Sequence, residues 1–356
     1  MRIAFLFGLI GLALVGCGPQ RATHPLAGGG KTGPAQDTAV EGVTDYALAR
    51  PVTYRNLTLI PVVSTKEVPD DKFDYVSLEE ARKNGWVEIV ELPGNEEVNR
   101  LQVRNTGPRP LLLLAGQLLI GGKQDRIVGK DTVVPAGELV DVPVYCVEHG
   151  RWSGSSEHFE YGGTQVPGDV KRSAMFRGQQ EVWNDVAEYN AQTEAPRDGT
   201  TIQGGLNSDK AKAAVDEGYS VLRDALANDK RVIGFVVCVN GEISGMELFG
   251  GPSLFRSSAE GLLKGALADA AAAPIVDKPP VPIEEAKRFL AEVFRSRREV
   301  AAKSRDAGMA ARAANDPTLL SVDHDRIIGQ EKTQVPSSAK SAEDRELIHG
   351  SYGIRK

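Results

Sequence analysis

The chain has 356 residues, 41% hydrophobic and 25% charged, with a formal net charge of -6. This is an ordinary globular composition, and it excludes the basic footprint that a nucleic-acid partner requires. Outside the N-terminus no apolar stretch approaches the about 20 residues that span a bilayer.

The first segment is read as an address. Met1-Arg2 is a minimal positive start, and residues 3–16 form a continuous apolar or glycine run. The run is too short for a membrane-spanning helix but suits a signal-peptide core. It ends in Leu14-Val15-Gly16-Cys17, which resembles the bacterial lipobox. That resemblance implies a signal peptide over residues 1–16, cleavage before Cys17, and lipidation of the Cys17 thiol. Each buried methylene of an acyl chain contributes about 0.8 kcal/mol, so one chain holds marginally and two or more hold firmly. Gly18, where an acidic residue would retain the protein at the inner membrane, implies the outer membrane facing the periplasm. Residues 17–42 comprise this cysteine and a tether rich in Gly, Pro, Thr and Gln, spanning roughly 25–30 Å if flexible. Within it Gly28-Gly29-Gly30-Lys31-Thr32 is not a phosphate loop, because Pro25 stands where that motif needs glycine and no strand precedes it.

Residues 43–356 read as an α+β fold, sheet-rich over 43–165 and mixed helix and hairpin over 166–356. Alternation predicts a strand over 54–63, with Leu57, Leu59 and Pro61 opposite Thr58, Ile60 and Val62. Ser77-Leu78-Glu79-Glu80 opens a short helix, with acidic residues in its first turn. Strand-like runs follow at 86–92, 98–103, 110–114 and 140–147, separated by Gly, Pro and Asn turns. Helical spacing covers 174–189 and 209–226. Asn240-Gly241 joins 232–239 to 242–249 as a hairpin. A helix runs from Pro252-Ser253 to about Ala272, and another from Ile283 to about Ala302. The tail from Asn315 reads as polar until a final strand at Glu346-Leu347-Ile348-His349. Cys146 and Cys238 lie in apolar, β-branched runs and read as two core thiols, although an oxidising compartment permits a disulfide between them.

Two stretches place polar groups where packing does not ask for them. In Gly121-Gly122-Lys123-Gln124-Asp125-Arg126, adjacent glycines can turn backbone N–H groups toward a ligand, while Lys and Arg supply charge-assisted donors. The alternative is a charged hairpin tip. In Cys146-Val147-Glu148-His149-Gly150-Arg151-Trp152, alternation buries the strand residues up to Cys146, and Glu148, His149 and Arg151 emerge at its end. Glu148 with His149 suits an acid–base pair, and Glu157-His158 recurs nearby. The alternative is a hydrogen-bonded turn. His149 and His158 lack regular metal-ligand spacing, so no metal is assigned. Glu247 and His349 are weaker candidates, the latter more typical of a satisfied core histidine.

Taken with Asn56–Val62, Val134-Pro135-Ala136-Gly137, Glu247-Leu248-Phe249 and Leu347-Ile348-His349, these strings resemble the ARPP-1 domain family over about residues 43–356. The resemblance implies a role near ADP-ribose or other nucleotide derivatives. It makes Gly121, Gly122, Lys123, Gln124, Arg126 and Arg151 the preferred ligand-binding residues, and Glu148 and His149 the catalytic candidates. Gln117 stands where an acidic residue is expected in relatives, which argues against carboxylate catalysis there. No cofactor follows. Three functions are carried forward: an anchored binder of an anionic small molecule (a nucleotide, ADP-ribose-like molecule or sugar phosphate), a hydrolase using Glu148 and His149, or a structural lipoprotein of the envelope.

Overall fold

A computed structural model describes residues 37–69, 72–93, 98–150, 156–196, 200–306, 319–324, 326–334 and 346–354. The chain begins with β1 (Thr38–Val40), β2 (Val43–Leu48), β3 (Val52–Tyr54) and β4 (Leu57–Ser64). Next come β5 (Val76–Ser77) and α1 (Leu78–Lys83), whose N-cap Ser77 accepts a hydrogen bond from the Glu80 N–H. The strands β6 (Val87–Glu91), β7 (Arg100–Asn105), β8 (Leu111–Leu113) and β9 (Gln117–Gly121) follow, then β10 (Arg126–Val128), β11 (Thr132–Val134), β12 (Leu139–Cys146) and β13 (Phe159–Gln165). Four helices come next: α2 (Gly168–Phe176), α3 (Gln179–Gln192), α4 (Ile202–Leu206) and α5 (Asp209–Ala227). The hairpin β14 (Val232–Val239) and β15 (Glu242–Phe249) leads into α6 (Pro252–Ala272) and α7 (Ile283–Asp306). The last strands are β16 (Leu319–His324), β17 (Ile327–Gln334) and β18 (Glu346–Ile354).

These strands build a nine-stranded sheet ordered β1-β2-β4-β14-β15-β18-β17-β16 with β3 paired to β4, a six-stranded sheet ordered β13-β9-β10-β12-β7-β6, and a three-stranded sheet ordered β11-β8-β5. The large sheet is covered on both faces. Leu57, Leu59, Phe235 and Val237 pack with Leu222 of α5 and Leu262 and Leu263 of α6. Their alternating neighbours Ile60, Val62, Val236 and Cys238 pack with Phe289, Leu290 and Val293 of α7. The period of two therefore separates two apolar layers rather than core from water, and all of β4 is buried. Each fully buried leucine contributes about 1.5–3 kcal/mol. The six-stranded sheet packs Leu118 and Ile127 against α2, α3 and α6, so α6 serves two cores at once.

Several expectations are corrected. The predicted strand over 54–63 is a hairpin, broken at Arg55 with φ 52°. The predicted helix over 174–189 is two helices separated at Gly178, whose φ of 110° favours glycine. The tail read as polar contains the β16–β17 hairpin, and β18 lies inside the sheet between β15 and β17. Hydropathy under-reads this region because Gln330, Glu331, Lys332 and Thr333 are buried. The strands of 43–165 and 166–356 also meet in one sheet, where β4 pairs with β14. Gln36–Lys356 forms one compact unit. Cys146 and Cys238 are separate buried free thiols, and burial pushes Cys238 up to about 12. Among the described residues no helix is long and apolar enough to cross a membrane.

Candidate functional site

The two motifs singled out in the sequence do meet. β10 pairs with β9 on one side and β12 on the other, placing Arg126 opposite Cys146. Gln124 Nε2 donates to the Glu148 carbonyl (3.0 Å), and the Asp125 N–H donates to Glu148 Oε2 (3.2 Å). Most of their polar groups are committed to each other. The Gly121, Gly122 and Lys123 N–H groups donate to Asp125 Oδ1 (3.1 Å), the His158 carbonyl (3.2 Å) and Glu91 Oε1 (2.8 Å). The glycines are there for close approach: a Cβ on Gly121 would lie 2.4 Å from the His158 oxygen, and one on Gly122 2.2 Å from Phe159 Cζ. Arg126 is 1% exposed. Its Nε donates to the Val98 carbonyl (3.1 Å) and its Nη1 to the carbonyls of Gln124 and Asp125 (2.7 and 3.3 Å).

Lys123 and His149 keep exposed side chains. Lys123 Nζ lies 3.6 Å from Glu91 Oε2, and the His149 ring stands edge-on to Trp183 with centroids 4.8 Å apart. Arg151 and Cys17 lie outside the described residues. Hydrogen bonds thus tie the β9–β10 turn to the end of β12. Glu148 is buried, and its Oε2 accepts from the Asp125 backbone amide.

A second polar constellation lies deeper, on the α6 face of the large sheet. Register places Glu247 of β15 opposite Ser351 of β18, and Phe249 opposite His349. His349 and Ser351, two residues apart, therefore share a face with Glu247. His349 Nδ1 faces Asp131 Oδ2 at 2.6 Å, and its Nε2 faces Glu247 Oε2 at 3.0 Å. Glu247 Oε1 accepts from the Ser351 hydroxyl (3.0 Å) and from the Lys171 ammonium of α2. Asp131 Oδ1 accepts from the Ala115 N–H (2.8 Å), and Lys171 also reaches Gln165 Oε1 (3.4 Å). The Lys171 stem crosses Gly116, where a Cβ would lie 2.7 Å from Lys171 Cδ.

Electrostatics set the protonation of this cluster. Burial disfavours the charged His349 ring, but the Asp131 and Glu247 carboxylates outweigh it and raise the group to about 9. Burial alone would likewise raise Glu247, yet the cations Lys171 and His349 hold it down to about 2. At neutral pH His349 is therefore held as a cation and Glu247 as a carboxylate. Neither His349 nor Glu247 is then free to accept a proton.

The quartet is not sealed into solid protein. A cavity of about 60 Å³ lies between α2, α6 and strands β14, β15 and β18; it is reached by Lys171, Glu247, Ser351 and Gln165 and walled by Phe235 and Leu262. It shares Arg172, Ser244 and Asp269 with a groove of about 340 Å³. Gln165 is 4% exposed, and its Nε2 is buried without a hydrogen-bond partner. Among the described residues no trio of His, Cys, Asp and Glu is placed to hold a metal ion.

A family model, the ARG and Rhodanese-Phosphatase-superfamily-associated Protein domain, ARPP-1, matches residues 45–352. The chain belongs to the ARPP-1 family. The match runs from β2 into β18, so the ARPP-1 domain contains both the β9–β10 turn and the buried quartet. No curated protein and no solved structure matches the chain. Glu247 and His349 stood out weakly in the sequence, but Asp131, Lys171, Gln165 and Ser351 did not. The one local signal was Lys171, set between Val170 and Ala174 on the buried side of α2.

Proposed function

We propose that this chain is an exported lipoprotein, anchored through Cys17, whose ARPP-1 domain binds a small molecule by its anionic or acceptor-bearing group in the cavity beside Lys171 and Gln165. The observation that carries the reading is the buried, unpaired Gln165 amide at a cavity that the Lys171 ammonium also reaches. A buried donor without a partner costs about 1–3 kcal/mol, which a ligand acceptor would recover. The cavity is sized for a carboxylate or similar end group, so a nucleotide could enter only by its smallest part. This reading moves the anionic ligand away from the β9–β10 turn, whose donors are committed internally. In the alternative hydrolase reading, with Glu148 or His149 as general base, Glu148 would act while accepting from the Asp125 amide, and His149 has the exposed ring.

Two outcomes are expected. Cys17→Ser is expected to abolish incorporation of labelled fatty acid into the protein; undiminished labelling would remove the anchor from the proposal. In thermal-shift measurements, a carboxylate or phosphate probe held about 100-fold above its Kd raises the melting temperature by several degrees. Met175→Trp, a half-buried position lining the cavity, abolishes that rise. A rise that survives the tryptophan places the ligand elsewhere.

A further inference from the structure

The polar side chains in the wall of the cavity are bonded within the protein, with one exception. Lys171 donates to Glu247 Oε1 and to Gln165 Oε1. Ser351 donates to Glu247 Oε1 (3.0 Å), and Glu247 Oε2 faces His349 Nε2 (3.0 Å). Arg172 donates to Asp169 and to the Ser244 carbonyl, and the Ser244 hydroxyl to the Val237 carbonyl (3.3 Å). Asp269 Oδ1 accepts from the Gly168 N–H (3.3 Å), and the Tyr352 hydroxyl donates to Glu331 (2.8 Å). The exception is Gln165 Nε2, a donor buried without a partner among the described residues.

The other end of the same amide fixes where this donor points. Exchanging the amide oxygen and nitrogen would set N–H groups against the Lys171 ammonium, donor to donor, so Oε1 stays on Lys171. The wall is otherwise largely apolar, with Met175, Phe176, Phe235, Leu262, Ala266 and Ile328. A group entering this space meets one donor and hydrocarbon. A carboxylate or phosphate would give up its water for a single hydrogen bond, beside Glu247, whose carboxyl ionises at about 2. Burying an ion with so few partners costs far more than burying a carbonyl that keeps one bond. The volume of about 60 Å³ has room for roughly four to six heavy atoms, at the 10–15 Å³ that one water-sized sphere takes.

We infer that the group seated in the cavity is an uncharged carbonyl, of an amide or an ester, on a small apolar substituent, with its oxygen accepting from Gln165 Nε2. The inference rests on the binding reading above and selects the neutral acceptor over the anion. The charged end of a nucleotide or sugar phosphate is then a poor occupant.

Three small probes of matched size separate the possibilities: propionamide, methyl acetate and propionate. Millimolar titrations of the full chain at pH 7, followed by saturation-transfer NMR, are expected to show the amide or the ester binding at least about tenfold more tightly than the carboxylate. The tighter of the two identifies the carbonyl. Met175→Trp is expected to abolish binding of all three. Gln165→Met keeps the side-chain length and removes the donor; it is expected to weaken the amide and the ester about three- to tenfold, as for one neutral hydrogen bond. Should that variant fold poorly, the comparison of probes on the unaltered chain decides alone. Propionate binding as tightly as the neutral probes, in a manner that Met175→Trp abolishes, would overturn the neutral class and leave the cavity reading intact. Full affinity in a folded Gln165→Met would overturn the role of Gln165. Binding that survives Met175→Trp, or no binding by any probe, overturns both readings.

Discussion

Glu247→Gln is expected to lower the unfolding free energy by about 3–5 kcal/mol, the usual cost of removing one member of a buried ion pair. The substitution keeps the shape of the side chain and removes only its charge. Lys171 and His349 then face each other's charge with Asp131 as the one remaining carboxylate of the quartet, all three side chains being buried. Urea unfolding at pH 6 measures the loss. Adding Lys171→Met to the same chain is expected to recover more than about 1 kcal/mol, because no uncompensated ammonium remains and coupled neighbours are not additive. A single-variant loss below about 1 kcal/mol would mean that the four groups do not act as a coupled ion-pair network.

His349 makes the second large effect, a loss of stability toward alkaline pH. Its folded-state value of about 9 lies above the ordinary 6.5, so the folded protein holds this proton more tightly than the unfolded chain does. The resulting stabilisation is fully present below pH 6.5 and is lost as the pH rises through about 9. The gap corresponds to about 3 kcal/mol, with a slope near 1.4 kcal/mol per pH unit inside that window. Glu247 acts oppositely on the acid side. Its folded value of about 2 lies below the ordinary 4.5, so its contribution is present above pH 4.5 and fades as the pH falls toward 2. Stability should therefore plateau between about pH 4.5 and 6.5 as far as these two groups determine it. Urea midpoints at pH 6, 7.5 and 9 check the alkaline arm. His349→Gln should flatten it, and an equal slope in both proteins would assign the titration to another group.

Placed together, the two effects explain why a polar quartet is tolerated at the junction of several elements. Asp131 belongs to the connection before β11, Lys171 to α2, Glu247 to β15 and His349 to β18. Each is satisfied only when all four elements are docked, which links the three-stranded sheet, the helix layer and the large sheet. The same closure shapes the cavity proposed to hold the ligand, so agents that neutralise His349 should weaken fold and binding together.

Much of the fold was legible locally. The Ser77 cap, the Asn240-Gly241 turn and the Pro252 helix start each depend on residues within a few positions of one another, and the structure contains all three. The errors arose where a local pattern has two physical meanings. Alternation in β4 separates two covered faces rather than core from solvent. The apolar spacing over 174–189 continues across Gly178, although the backbone turns there. In the tail, β17 buries Glu331 against Arg297 at 2.6 Å and Tyr352 at 2.8 Å, so a central strand carries charges that hydropathy assigns to solvent.

The polar site divides the same way. By itself the sequence determined the family, through contiguous strings such as GGKQDR and CVEHGRW, together with the α+β character of the chain. It also carries Leu14-Val15-Gly16-Cys17, and the anchor proposal stands on the resemblance of that string to a lipobox. Only the tertiary structure decided which polar residues meet. The motif residues lie in two short strings whose donors bond to each other and to Glu91, Val98 and His158. Asp131, Lys171, Glu247 and His349 are far apart in sequence and are brought together by the insertion of β18 between β15 and β17. Strand order and register are set by burial summed over whole sheets, and no local spacing encodes that sum.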